Sequence, residues 1–472
     1  MARIWRQMAL GATATLALSG TASGETLYDA MRDAYYYNPS IEAARDSLRA
    51  LGENVPIAES GRLPTLAFVA QQQFQNTIYN PAPRQDASER PLTFGLEGSL
   101  PLYDGGESAN QVSQARADVE AAYSRLNDQE QDTLLSAVNV FFDVLRDKEI
   151  RDLSVRNLAV LRQELQASEI RFEVGEATIT DVAQAKARVA EANANLIQSE
   201  GALRSSAARY RGVVGRLPTR LSPPQRLPTL PPSLASSETI ALANHPSIRA
   251  ARSAERAALY AIRVAMAGNL PTVDLNASLQ GSLSDGIVGD TFFSSDDDER
   301  RTATAGLTLS LNAPIYQGGR VDAQVRQARF TASQRRSEYH QAVREVRQDL
   351  NTAWQTLITA KGAISSNVER VRAAQIAFQG LREELRVGSR STIDVLDAEE
   401  DLLAARIALV QSVRDLNVAA YTVLAEMGRF DPETFGLDDT VGAQLQRPVY
   451  ARGPVYGYPD DTTTAWRFPW RP

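Results

Sequence analysis

The sequence predicts an α+β membrane protein in which four β-strands adjoin two very long helical hairpins. Three observations predict it. Four stretches of about ten residues alternate apolar and polar side chains, the period of a strand with one apolar face. Two proline-free regions, 102–217 and 315–431, carry apolar residues at helical spacing. The whole plan is written twice in one chain.

The first residues read as an export signal: Arg3 and Arg6, an apolar run from Met8 to Leu18, then small residues in "SGTASGE". A cut after Gly24 leaves a chain starting at Glu25 and takes the formal net charge from −7 to −9. The run is too short for a membrane helix of roughly 20 residues. Residues 25–217 then form the first repeat. "YNPSIEAARDSLRA" (37–50) predicts one helix ending at Asn38 and another after Pro39, because the residue before proline is steered from helical angles. Its echo, "NHPSIRAARSAERA" (244–257), predicts the same break at His245-Pro246, with His245 a turn residue.

The strands follow. "PLTFGLEGSLPL" sets Leu92, Phe94, Leu96 and Leu100 on one face and Thr93, Glu97 and Ser99 on the other. "TVDLNASLQGSL" and "TATAGLTLSLNAPI" alternate as cleanly, and "TLAFVAQQQF" less so. Pro64, Pro101, Pro271 and Pro314 are expected to end the strands, since proline cannot donate to a ladder. Apolar-out, polar-in alternation is the outer-membrane barrel signature. A water-soluble sheet with one buried face is the competing reading. Four strands cannot close a barrel, and open edges are not tolerated in lipid, so other copies must complete it: a dimer gives eight strands and a trimer twelve. Between the second pair, "SSDDDER" (294–300) reads as an acidic, solvated loop. Tyr103 and Tyr316 at strand ends fit an interfacial girdle or junction packing alike.

Gly105-Gly106 and Gly318-Gly319 open the long regions. A helix from Gly105 to Phe172 is about 100 Å long, a length that belongs to coiled coils. Only "EVGEATITDVAQ" (173–184) and "RVGSRSTIDVLD" (386–397) interrupt the helices. Glycine there suits the left-handed angle that ends a helix. Thr178-x-x-Asp181 and Ser391-x-x-Asp394 then fit capping boxes. Asp394 and Asp397, three apart, share a helix face. Capping accounts for Asp394 and Asp181. It does not account for Asp397, whose counterpart in the first copy is Gln184. A proline-rich linker (218–235) joins the second repeat (236–431), and 432–472 reads as a disordered tail.

Composition excludes much. With 57 acidic against 50 basic residues, no basic stripe stands out for nucleic acid. The absence of cysteine removes disulfides, thiolate metal sites and cysteine nucleophiles, and two histidines are too few for most acid–base or metal constellations. Neither catalysis nor a cofactor is expected.

The twofold repeat, the Asn/His-Pro-Ser breaks, the Tyr-x-Gly-Gly helix openings and above all "VGSRSTIDVLD" together resemble the TolC-type channels of the outer membrane efflux protein family, over roughly residues 25–431. The resemblance implies a homotrimer: a twelve-stranded barrel in outer-membrane lipid, continued by an antiparallel coiled-coil tunnel in the periplasm. It implies a passive exit duct working with a periplasmic adaptor (membrane fusion) protein and an inner-membrane pump of RND, ABC or MFS type, for efflux or type I secretion. It further implies that Asp394 and Asp397 line the entrance constriction. Arg390 would tie its hairpin to the neighbouring one through Thr180 and Asp181. Val174-Gly175 and Val387-Gly388 would be the turns where the adaptor docks. A tyrosine frequent five residues before that arginine is Leu385 here. The alternatives are a periplasmic coiled-coil scaffold with a soluble sheet, and a stand-alone porin.

Overall fold

The computed structural model describes residues 24–77, 87–89, 92–224, 226–288 and 299–437. The export signal up to residue 23, the acidic loop at 294–298 and the tail beyond 437 lie outside the described residues. In chain order the elements are α1 (Leu27–Tyr37), α2 (Pro39–Gly52), α3 (Asn54–Ser60), β1 (Thr65–Gln72), β2 (Gln75–Thr77), β3 (Ala87–Glu89), β4 (Leu92–Tyr103), α4 (Glu107–Glu173) and α5 (Ile179–Val214). Then follow α6 (Leu234–Asn244), α7 (Pro246–Ala267), β5 (Thr272–Val288), β6 (Glu299–Asn312), α8 (Arg320–Arg386) and α9 (Thr392–Glu426). The helices break at Asn38 and His245, and His245 caps α7 by accepting from the Ser247 N–H. No helix among the described residues is long and apolar enough to cross a membrane, which says nothing of a barrel.

The chain divides into two compact units. Among the described residues, one comprises Pro39–Gln131, Ser233–Asn351 and 426–437. Its sheet is antiparallel in the order β1-β4-β5-β6, with the short β2 and β3 extending the first two strands. Register assembles the apolar face row by row: Leu66, Gly98, Ala277 and Leu307 lie side by side, as do Phe68, Leu96, Leu279 and Ala305. The opposite face gathers Ala67, Glu97, Ser278 and Gly306, and Gln280 Nε2 donates to Glu97 Oε1 across it at 3.2 Å. Among the described residues nothing covers the apolar side: Leu66, Phe68, Leu307, Leu309 and Leu311 are 65–76% exposed. A water-soluble sheet would bury that face. Among the described residues β1 and β6 each keep one unpaired edge.

Prolines mark the strand ends with one exception. Pro64 and Pro271 directly precede β1 and β5, and Pro314 lies beyond β6, but Pro101 sits inside β4 opposite Asp274. The register shifts between Pro101 and Tyr103, and this bulge accommodates a residue with no N–H to give. Below the sheet in sequence, α2 packs Leu48 on Ala122 and Leu126 of α4. Arg45 and Glu130, both buried, pair at 3.6 Å.

The other unit takes residues 24–38, Asp132–Pro232 and Thr352–Ala425. It contains both hairpin turns and most of α5 and α9. The helix α5 buries Ala185, Ala192, Ser199 and Ser206, seven residues apart, and α9 buries Ala398, Ala405, Ser412 and Ala419 at the corresponding positions. A strict seven-residue repeat is the coiled-coil seam, and small side chains on it let helices approach closely. Asn367 of α8 donates to Ser412 Oγ of α9 at 2.6 Å, fixing one such approach. Near the start of the described chain Glu25 is buried, receiving the Tyr210 hydroxyl, the Thr219 N–H and hydroxyl at 3.1 and 2.9 Å, and Arg216 at 2.9 Å.

Candidate functional site at the hairpin turns

Each hairpin turn is built the same way. Gly175 (φ 84°) and Gly388 (φ 77°) take the left-handed conformation. Glu176 N–H then reaches Arg171 O at 2.8 Å and Ser389 N–H reaches Glu384 O at 2.9 Å. Gly175 and Gly388 donate to Phe172 O and Leu385 O, each at 3.0 Å, completing two Schellman closures. A Cβ at either glycine would meet nothing within 4 Å, so the backbone angle alone demands glycine. The turns project Val174 and Val387, 65% and 80% exposed.

The next helix starts at a capping box in both copies. The Thr178 N–H and hydroxyl donate to Asp181 Oδ2 at 2.8 and 2.7 Å, and Asp181 N–H returns to Thr178 Oγ1 at 3.2 Å. Ser391 and Asp394 repeat this at 3.0, 2.7 and 3.4 Å. Hydrogen bonds from Thr178 and Ser391 hold the Asp181 and Asp394 carboxyls below the usual range, with Arg171 and Arg390 adding to the effect.

Arg390 pairs with Glu384 at 2.9 Å, within its own turn. Asp181 is engaged by Thr178 and Thr180 is exposed, so within one chain the structure does not bring Arg390 to either. Asp397 is held instead by Arg188 of α5, whose Nη2 lies 2.6 Å from Asp397 Oδ1. The same guanidinium places Nη1 2.6 Å from Glu400 Oε2 and 3.1 Å from Glu191 Oε2. Partial burial draws the Arg188 pKa down, but the hydrogen bonds it donates to Glu191 and Asp397 and the charge of Glu400 outweigh it and the net shift is upward. Beneath the pair, Leu396 joins Leu158, Leu161, Ala185 and Ala192 in one apolar cluster.

Sequence reading missed Arg188 because nothing local marks it. Its signal lies in the two copies laid over each other. Asp394, Asp397, Glu399, Glu400 and Asp401 of α9 correspond to Asp181, Gln184, Lys186, Ala187 and Arg188 of α5. Past the shared capping aspartate, one copy is acidic where the other turns neutral or basic.

An amphipathic four-stranded sheet with open edges and a bare apolar face, in one chain with two coiled-coil hairpins, defines a protomer of an outer-membrane channel. The family model described as outer membrane efflux protein matches residues 31–216 and 239–429. The chain is 36% identical over 430 residues to the outer membrane efflux protein BepC of Brucella suis biovar 1 (strain 1330), covering 90% of this chain and 91% of that protein. It is 25% identical over 438 residues to the outer membrane protein TolC of Escherichia coli (strain K12), covering 89% and 86%. Among solved structures it resembles the outer membrane protein VceC of Vibrio cholerae, with a TM-score of 0.72 at 20% identity over 85% of this chain and 96% of that one. The chain belongs to the outer membrane efflux protein family.

Proposed function

We propose that the chain is the passive exit duct of a tripartite efflux or type I secretion system, gated at a carboxylate-lined periplasmic entrance. The observation that carries this reading is the sheet: its bare apolar face fits lipid, and its two open edges fit pairing between copies. Three copies give twelve strands. A periplasmic adaptor docks at Val174-Gly175 and Val387-Gly388, and an inner-membrane pump supplies energy and selects cargo, so the duct has no catalytic residues. In the trimer Asp394 and Asp397 contribute six carboxylates to the entrance, a ring that favours cations. Arg390 ties adjacent hairpins through Thr180 and Asp181 once it leaves Glu384. A signal ending at Gly24 delivers the chain, whose two repeats (25–217 and 236–431) are joined by the 218–235 linker.

Single-channel conductance in a planar bilayer tests this. The wild-type protein should show a small, cation-preferring conductance, and Asp394→Ala/Asp397→Ala should lose most of that preference. Equal selectivity in both proteins would confine the two aspartates to capping and ion pairing.

A further inference from the structure

The two copies of the repeat could each have carried the same charges at the start of the returning helix. Like charges would then face one another wherever α5 and α9 approach. The chain has diverged at that stretch instead, keeping the capping aspartate in both copies and placing Lys186 and Arg188 opposite an acidic run. Lys186 turns inward to its own hairpin, 3.3 Å from Glu169 of α4. Arg188 turns outward and reaches the other hairpin. Its two shortest ion pairs, both 2.6 Å, go to Asp397 and Glu400. Asp397 and Glu400 are neighbours on one helix face, so a forked guanidinium engages both at once, which a lysine ammonium does with less geometric precision. The pairs also flank Leu396, which enters the apolar cluster of the first hairpin. Parting the two hairpins there requires Arg188 to let go.

We propose that Arg188 is the clasp that holds the second hairpin against the first by engaging Asp397 and Glu400 together, and that its charge tempers the cation preference of the entrance. The proposal rests on reading Asp394 and Asp397 as entrance carboxylates, and it makes Arg188 a positioning residue for the gate. While the clasp is closed, Asp397 meets permeating ions as half of an ion pair. When it opens, the carboxylate loses its counter-charge as the aperture widens.

The chain has no cysteine, so Ala190→Cys and Ala404→Cys, both at exposed positions on α5 and α9, give a clean pair of spin-label sites. Inter-label distances and bilayer conductance are compared for the wild-type background, Arg188→Gln and Arg188→Lys. Arg188→Gln should lengthen and broaden the label distance and raise conductance and cation preference at least roughly twofold. Arg188→Lys should restore most of the distance and only part of the selectivity. A glutamine variant with wild-type distances and wild-type selectivity would overturn the clasp. If Arg188→Gln does not fold, Asp397→Asn/Glu400→Gln removes the other half of the contact and must widen the distance in the same way; unchanged distances there are equally fatal. A wild-type protein that forms no channel defeats the duct reading, and the label distances still decide the clasp.

Discussion

At Thr178 and Ser391 a single hydroxyl sets where each returning helix starts. Thr178→Ala should cost about 1 kcal/mol of local stability, read as faster amide exchange in the first turn of α5. The partner carboxylates have folded-state pKa values depressed by those caps, so their contribution is fully present above the unfolded value near 4 and is lost only as pH falls through the lowered one. Exchange protection at both helix starts should therefore hold from pH 7 to about 5 and collapse in stronger acid. Glu399 behaves oppositely. Burial raises its pKa; Arg406 and Arg382 oppose the rise and Glu164 adds to it. Its ionised form is then a standing cost above the raised value, relieved as pH falls. Glu399→Gln should raise the melting temperature at neutral pH, with the gain vanishing below about pH 4. No gain at neutral pH would contradict the burial argument.

At the scale of the element, the seam of each returning helix is made of small residues at intervals of seven. Ala405 is fully buried there, and Ala405→Leu should cost about 1–3 kcal/mol by overpacking, measured by thermal unfolding. Gly388→Ala changes no contact, yet a left-handed angle on a residue with a Cβ should cost about 1–2 kcal/mol, seen as fraying of the turn. These elements were legible in the sequence for plain reasons. Proline-free length and glycine pairs bound the helices, and alternation bounds the strands. Pro101 was not, because whether a proline ends a strand or sits in a bulge depends on its partner strand. Arg188 was not legible along either helix alone, since its partners lie about two hundred positions away and only tertiary packing brings them together. Surface pairs of this kind are individually worth about 0.2–1 kcal/mol. That modest strength suits the proposed clasp, a contact that is made and broken.

For the whole molecule, the sheet's two faces make separate demands. Leu309 is 65% exposed on the apolar face, and Leu309→Arg should cost up to about 4 kcal/mol of membrane stability. Its neighbour Thr308 points to the polar face, and Thr308→Arg should leave insertion intact while altering conductance. Urea unfolding from lipid vesicles compares the two; equal penalties would mean the face assignment is wrong. The unpaired outer edges of β1 and β6 carry a genetic consequence. No sheet of this kind is finished by a single copy of the chain, so an altered chain acts within assemblies that it shares with others. With threefold closure and equal amounts of normal and altered chains mixing at random, only about one assembly in eight is wholly normal. An alteration of the duct in half of the chains should therefore be dominant, changing most channels in a cell that still makes half its protein unaltered.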